Sequence, residues 1–427
     1  PEDFQHYPID PMKILLIAYA FPPLLEPQSI RWAYLTRELA ALGHEIDVLT
    51  ISLPDTYDDL LYLISPRVRL FRVYPGIIEG TFLKAKSWIL GSETAARDKT
   101  KPHRRIMRSF YWVARNGSNL VLVPDLRTEW LLFSYRRLKR LIRTHPYDLI
   151  LSSHEPGVSH ILGYLAKKWS GTRWIGDFGD PIVTASTPRF RRPIDRKLEV
   201  FLLRRMDGVI LTNERLRAKL LGKYPFLSAG KVMAIPQGFD ENRSLTKVGK
   251  NQVFTLSYFG AFYPEFRSPR IFARALRRIP SCRVKFFLAG RNESFLTDFY
   301  GLGDRFEYKA LIPHREALAR QRESDLLVNF ANRQDDQIPG KGFEYLGAGR
   351  PILQVSDVED EFSLLIRRLK RGLVVRNDEK EIAEAIEYLY DLWEKDEIDA
   401  AFDLSLSGVR DYSWERLAQK VDSFFKT

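Results

Sequence analysis

Two doubly wound α/β domains in tandem, facing across a cleft, are what this sequence predicts, and three observations carry the prediction. Short apolar runs of strand length alternate with amphipathic stretches of helical spacing from Lys13 almost to the end of the chain. The alternation is broken where the composition turns polar between Asp240 and Gln252, and it starts afresh at Phe254. A length of 427 residues is enough for two domains that each bury a core.

The first domain opens on an uninterrupted apolar run from Lys13 to Tyr19, as expected of a parallel strand covered on both faces. Pro22 and Pro23 end it. A helix follows from about Ser29 to Leu42, with Trp32, Leu35, Leu39 and Leu42 on one face, and Gly43 stops it before the next strand, Ile46 to Ile51. Further strands are expected at 68–74, 149–152, 173–176, 208–211 and 232–235. The second domain repeats the rhythm with strands at 254–259, 284–289, 306–308, 325–329, 351–355 and 373–375, and with helices at 269–278, 315–322 and 379–393. A last helix begins after Ser413, a natural N-cap. The expected domains are therefore 12–240, 252–410 and a terminal helix over 411–427, with Met12 as one candidate for the natural start and an ordered extension over 1–11 as the alternative. Residues 76–119, basic, aromatic and interrupted by Gly91 and Pro102, read as a surface excursion from the first domain.

Composition excludes several classes. Hydrophobic residues make up 45% and charged residues 28%, which is ordinary globular usage, and no apolar run approaches the roughly 18 residues of a membrane span. The single cysteine, Cys282, forms no internal disulfide and leaves a cysteine-based zinc site without its ligands. The chain reads as one made for a reducing compartment, without a secretory signal. Its net charge of +12 is uneven: from Lys84 to Arg143, 15 Lys and Arg stand against 4 Asp and Glu. A second basic cluster holds Arg189, Arg191, Arg192, Arg196, Lys197, Arg204 and Arg205 against Asp195 and Glu199. Such surfaces suit nucleic acid, anionic headgroups or phosphorylated substrates, or are plain solvated helix faces.

The strongest chemical signal runs from Asp335 to Leu353. A Gly-rich loop, Gly340-Lys341-Gly342-Phe343, opens a short helix whose amides and positive end suit a diphosphate. Asp336 and Glu344 bracket it with seven residues between, and a carboxylate accepting from paired hydroxyls is the usual way to hold a ribose or a sugar. Lys341 adds a point charge. In the first domain His154, in Ser152-Ser153-His154-Glu155-Pro156, follows a strand and is placed to bind a sugar hydroxyl or assist proton transfer, whereas His160 reads as structural. Asp177 and Asp180 either orient acceptor hydroxyls or cap the next segment. Gln28, Ser29 and Arg31, at the start of the first helix, are candidate cleft contacts. Arg291 to Glu293 and Leu311 to His314 are candidate base or sugar contacts. No essential metal and no cofactor is expected. The chain also lacks Gly-x-Gly-x-x-Gly and the phosphate-loop pattern ending in Gly-Lys-Ser/Thr, which argues against a dehydrogenase and an ordinary nucleoside triphosphatase.

With Asp336 and Glu344 at that spacing, ahead of Gly349-Arg350-Pro351-Ile352, the sequence resembles the retaining glycosyltransferases of the two-Rossmann-domain (GT-B) type, specifically the large group-4 family (glycosyl transferases group 1 type). The resemblance implies Glu344 on the nucleotide ribose and Asp336 near the donor sugar, where relatives usually have Glu. It places Gly260 at the end of the second domain's first strand and Arg267 at a basic position facing the leaving diphosphate, while Ala261 stands where relatives have Arg. It sets His154 beside the reacting sugar, and it finds Gln28, Ser29 and Arg31 where relatives have a Gly-Gly pair. A Trp-bearing terminal helix crossing back onto the first domain is a family habit that Trp414 fits.

The expected activity is retaining transfer of a hexosyl group from a UDP or GDP sugar to a hydroxyl of a saccharide or lipid-linked acceptor, in cell-surface polysaccharide or glycolipid synthesis. Front-face chemistry, in which the leaving phosphate itself helps deprotonate the acceptor, needs no dedicated base. Lys84, Lys86, Trp88, Lys101, Arg104, Arg105, Phe110 and Trp112 mix cations with interfacial aromatics, so an anionic membrane surface is an expected partner. The expected location is cytoplasmic, with peripheral attachment to the inner face of the cytoplasmic membrane as an option. A catalytically idle sugar-nucleotide scaffold of the same fold and a related epimerase are alternatives. A nucleic-acid-binding protein is another, but no zinc-finger, RNA-recognition or helix-turn-helix signature accompanies the charge, and no nucleic-acid partner is expected.

Overall fold

The computed structural model describes residues 10–53, 60–81, 83, 126–154, 156–179, 182–183, 187–241, 249–264, 267–280, 283–332 and 338–427. Of the residues singled out above, Lys84 to Trp112 in the basic excursion, Glu155, Asp180, Cys282 and Asp336 lie outside them. The chain divides into two compact units, Pro1–Ile235 with Ala418–Thr427, and Pro236–Leu417.

The first unit carries a parallel sheet of seven strands: β1 (Lys13–Ile17), β2 (Glu45–Ile51), β3 (Val68–Val73), β4 (Leu149–Ser153), β5 (Arg173–Phe178), β6 (Gly208–Leu211) and β7 (Val232–Ala234), in the order β3-β2-β1-β4-β5-β6-β7. Parallel strands need crossovers, and the helices supply them: α1 (Pro27–Ala41), α2 (Trp130–Thr144), α3 (Val158–Ser170), α4 (Arg192–Leu203) and α5 (Glu214–Lys223). Pro27 sits at the first position of α1, where its missing N–H costs nothing, and Trp32, Leu35 and Leu39 face inward. Asn213 caps α5 by accepting from the Leu216 amide at 2.8 Å. Strands β1, β2, β4, β5 and β6 are buried along nearly their whole length, as helices on both faces require.

The second unit holds six parallel strands: β8 (Phe254–Phe259), β9 (Val284–Ala289), β10 (Phe306–Lys309), β11 (Leu326–Phe330), β12 (Ile352–Val355) and β13 (Gly372–Val375), in the order β10-β9-β8-β11-β12-β13. Its helices are α6 (Arg270–Arg278), α7 (His314–Glu323), α8 (Gly340–Gly347), α9 (Glu361–Arg368), α10 (Glu379–Glu394) and α11 (Ile398–Ala401), and α12 (Trp414–Lys426) closes the chain. Asp360 and Asp378 cap α9 and α10, and Ser413 caps α12 through the Arg416 amide. One face of the sheet is a Phe-rich core around Phe272, Phe286, Phe299 and Phe330, and the other packs Phe343, Phe362 and Ile366.

The units divide a few residues ahead of the polar stretch at which the sequence sets the boundary. The Phe239 amide donates to Tyr412 O at 3.1 Å, and Trp414 N donates back to Phe239 O at 2.9 Å, so this segment is already tied into the second unit. Polarity marks where the backbone is exposed, not where its bonding partners change. Within the first unit the end of α12 is held by Arg173, which donates to Phe425 O at 2.5 Å, and by His44 against Asp422 at 3.1 Å.

Each sheet reverses direction once, between β1 and β4 and between β8 and β11. Loops leaving the carboxyl ends of strands at such a switch point diverge and leave a crevice. His154 follows β4, and Gly260 follows β8.

Candidate functional site

In the second unit the loop after β8 and the start of α8 converge on a lysine. Lys341 lies in the first turn of α8, and its ammonium sits over the Tyr258 ring, 3.6 Å from the centroid. The Nζ atom is buried with no hydrogen-bond acceptor. Burial, reinforced by the nearby Arg267 charge and opposed by Glu344, holds its pKa well below the ordinary lysine value. Gly260 makes room for it. That residue has φ +146°, and a Cβ there would stand 2.7 Å from Lys341 Nζ.

Arg267 reaches the same place from the loop after β8. Its Nη1 donates to Tyr258 Oη at 3.3 Å, its Nη2 donates to Asn332 Oδ1, and its buried Nε has no acceptor. Asn292, fully buried, fixes the turn: it accepts from Phe262 N and donates to Gly260 O, each at 2.8 Å. Gly290 has φ +134°, and a Cβ there would fall 2.4 Å from Gly260 O, so the two glycine turns can approach only as glycines. Two cations thus converge on one loop with donor valence in hand, the arrangement that takes a diphosphate.

Glu344, one turn along α8, accepts from His314 Nε2 at 3.0 Å and from Gln321 Nε2 at 3.1 Å. Burial alone would raise its pKa, but those two donors and the Lys341 charge outweigh it and keep the carboxyl below its ordinary value. An ionised Glu344 only accepts, so His314 carries its proton on Nε2 in this bond. Each carboxylate oxygen keeps a lone pair for a ligand hydroxyl. Gln321 Oε1 is buried and without a partner beside it.

In the first unit, His154 is buried at the end of β4 and its amide donates to Asp177 O at 2.8 Å. Its ring stacks on His160 and Phe178, with centroids 5.4 and 5.6 Å away. His160 is fixed from below: Trp174 Nε1 donates to Ser152 Oγ at 2.8 Å, and Ser152 Oγ lies 2.8 Å from His160 Nδ1. An indole N–H can only donate, so Ser152 Oγ accepts from Trp174 and keeps its own proton to offer to Nδ1, an arrangement that suits the Nε2–H tautomer of His160. Its Nε2 has no partner. Burial first, then the neighbouring His154 charge, push its pKa well below the usual imidazole value.

Several expected contacts are taken up inside the protein. Arg31 and Asp177, placed in the cleft by sequence, are 0% and 1% exposed and bind each other, with Arg31 Nε and Nη2 donating at 3.2 and 3.1 Å. Trp32 Nε1 adds a third bond at 2.9 Å. The reason is that β5 runs two residues further than expected and carries Asp177 inside the sheet. Neither group orients an acceptor, and Asp177 caps no helix. Gly342 and Phe343 are corrected likewise. A Cβ on Gly342 would meet the Phe362 ring at 2.6 Å, its amide already donates to Pro339 O at 2.9 Å, and Phe343 is a core residue against Phe362 and Tyr412. Gln28 and Ser29 are buried at the start of α1, and Gln28 Oε1 and Ser29 Oγ have no partner.

Tyr258, Asn292, Asn332 and Gln321 were not picked individually from sequence. A usable signal existed for Gln321, which lies seven residues, two helical turns, after His314 on α7. The asparagines act through turns that pair distant loops, and no local pattern encodes that. Among the described residues no group of three or more His, Cys, Asp or Glu is placed to hold a metal ion. No helix among them is long and apolar enough to cross a membrane.

Residues 28–238 match the family described as Glycosyl transferase 4-like domain. No curated protein matches the sequence. Among solved structures the chain is similar to Anabaena Alr3699/HepE in complex with UDP, at 12% identity and TM-score 0.63 over 97% of this chain and 100% of that one. It is similar to sucrose-phosphate synthase from Thermosynechococcus elongatus, at 17% identity and TM-score 0.64 over 97% and 98%. A glycosyltransferase from Rickettsia africae ESF-5 aligns at 12% identity and TM-score 0.61 over 98% of both chains. At these identities the likeness is one of fold, two Rossmann-like domains of the GT-B kind.

Proposed function

We propose that this chain, which has the GT-B fold and matches the Glycosyl transferase 4-like domain over residues 28–238, transfers a hexosyl group, with retention, from a nucleoside-diphosphate sugar to a hydroxyl of a saccharide or lipid-linked acceptor. The observation that carries the donor assignment is the buried Lys341 ammonium, which lacks an acceptor and lies beside Gly260 and Arg267. A bound diphosphate supplies the missing acceptors. Charge developing on the leaving phosphate is then met by groups already in place, which is where electrostatic catalysis acts.

Glu344, oriented by His314 and Gln321, holds the ribose hydroxyls, and the family resemblance assigns Asp336 to the donor sugar. His154 takes the sugar or acceptor hydroxyl at the switch point of the first unit. In a front-face reaction the leaving phosphate oxygen accepts the acceptor's proton as the new glycosidic bond forms on the face the phosphate leaves, so the protein aligns and neutralises. A uridine donor is favoured because HepE was solved with UDP and with UDP-glucose. The proposed setting is synthesis of cell-surface polysaccharide or glycolipid.

Thermal-shift measurement against UDP, GDP, ADP and their sugars tests the donor site, since a ligand of the folded state raises stability by mass action. Nucleotide release from the matching sugar donor, lost in Glu344→Ala and His154→Ala, tests transfer. Absence of any shift refutes the donor site. A shift with no turnover over a broad acceptor panel supports the scaffold alternative, which Ala261 in place of Arg favours.

A further inference from the structure

We propose that the outer face of α4 docks on an anionic lipid bilayer. Both carboxylates of the helix are withdrawn from that face. Asp195 is 2% exposed and receives Arg191 Nη2 at 3.0 Å. Glu199, 1% exposed, accepts from Lys223 Nζ at 2.7 Å, from Tyr224 Oη and from Val183 N at 3.2 Å. What remains outside is cationic and apolar. Arg189, Arg192, Arg196, Lys197, Arg204 and Arg205 are exposed, and from residue 187 to residue 206 no carboxylate is.

The exposed apolar side chains stand among these cations. Phe190 is 58% exposed, Ile194 51% and Phe201 36%. Ile194, Lys197, Phe201 and Arg204 follow one another at three- and four-residue steps, which sets them in one stripe along the helix. A groove of about 870 Å³ runs beside the stripe, between Val200, Phe201, Arg196 and Lys223. An apolar side chain in water gains from any dry partner, but one ringed by guanidinium groups suits a surface that is anionic outside and apolar beneath. A bilayer interface is such a surface: headgroup phosphates meet the cations while Phe190, Ile194 and Phe201 enter the acyl boundary.

Nucleic acid fits less well. Its bases need an open aromatic face for stacking. The Phe201 ring already carries the Arg205 guanidinium 3.7 Å from its centroid and meets Tyr164 edge-on, while Ile194 offers no π surface. The inference goes beyond the transferase reading and is independent of it, because docking is read without donor or acceptor.

The test is co-sedimentation of the full chain with vesicles of phosphatidylcholine alone and of phosphatidylcholine mixed with phosphatidylglycerol. The expected result is binding to the mixed vesicles only. It should fall by at least about tenfold in the triple variant Arg196→Glu, Lys197→Glu, Arg204→Glu, and also in Ile194→Ser with Phe201→Ser. Reversal of Arg274, Arg277 and Arg278, three exposed cations of α6, gives the same change in net charge and should leave most binding in place. Circular dichroism confirms that the variants fold. A second readout replaces Cys282 by Ser and labels Ile194→Cys with a polarity-sensitive dye, whose emission should shift to the blue on anionic vesicles. Unchanged binding in both α4 variants, or no dye shift on bound protein, overturns the proposal. So does equal binding to single-stranded RNA that survives Ile194→Ser with Phe201→Ser, which would make the face a nucleic-acid site.

Discussion

The Lys341 ammonium rests on the face of the Tyr258 ring, 3.6 Å from its centroid, and it has no hydrogen-bond acceptor. A cation–π contact repays part of the cost of burying a charge, on the order of 2 kcal/mol when desolvated, and leaves the rest outstanding. The deficit is what an anionic ligand removes. Lys341→Met should therefore leave the ligand-free protein as stable as wild type or more stable, by up to about 4 kcal/mol, while nucleoside-diphosphate affinity falls about tenfold to a hundredfold. Denaturant unfolding and titration calorimetry on the two proteins check both halves. A loss of stability without a loss of affinity would make Lys341 structural.

The same lysine sets a pH dependence. Its folded pKa lies well below that of the unfolded chain, so between the two values the unfolded state binds more protons. Stability of the ligand-free protein should therefore rise with pH across that window, up to about the ordinary lysine value near 10.4. The slope should vanish in Lys341→Met and flatten with nucleoside diphosphate bound, because the ligand's charge pulls the lysine pKa back up. Melting temperatures across that range, wild type against variant, read it directly.

Glu344→Gln keeps the shape of the side chain and removes the charge. A hydrogen bond to a charged group is worth about 1.5–3 kcal/mol, so nucleotide affinity should drop by about tenfold or more, with free diphosphate much less affected because it has no ribose. The folded pKa of Glu344 is depressed, so its contribution to stability is present above the unfolded value and is lost as pH falls through the folded one. The variant should lack that acid-side loss.

How far this site was legible is uneven, for physical reasons. Among the described residues the strands fall where the sequence placed them; the central ones are apolar along their length because both faces are covered, whereas the edge strands β3 and β10 carry Arg69, Arg72, Glu307 and Lys309. Lys341 and Glu344 were legible because a turn, a helix start and an acidic spacing are all local in sequence. Arg31, on α1, and Asp177, on β5, were misread because a polar residue on a helix or strand looks the same whether it faces a ligand or a partner 146 positions away. Asn292 was named only within a three-residue candidate stretch, since its work is to bridge two glycine turns 30 residues apart.

The Arg31–Asp177 pair makes a prediction of its own. Removing one partner strands the other charge in a dry interior, so Arg31→Met should cost about 3–5 kcal/mol in the unfolding of the first unit. Adding Asp177→Asn should recover much of that loss, because the amide oxygen still accepts from Trp32 Nε1 and no buried charge remains. Chemical denaturation of the two single variants and the double closes the cycle, and additive losses would rule out the pairing.

His160 should be a neutral Nε2–H tautomer that resists protonation through the range where exposed histidines titrate, because Ser152 offers its proton to Nδ1 and burial opposes a second charge. Long-range proton–nitrogen correlation spectra identify the tautomer and follow it with pH. Its folded pKa is below the unfolded value near 6.5, so the unfolded state takes up the proton first and the wild-type protein loses stability as pH falls below that point. His160→Phe, which keeps a ring between His154 and Phe178, should lose that part of the slope while leaving Ser152 Oγ its bond from Trp174. Protonation of His154 strengthens the effect, because a charge stacked 5.4 Å away makes a second one on His160 harder to form. The acid limb of stability should therefore shift in His154→Asn even with His160 intact, a coupling that two independent histidines would not show.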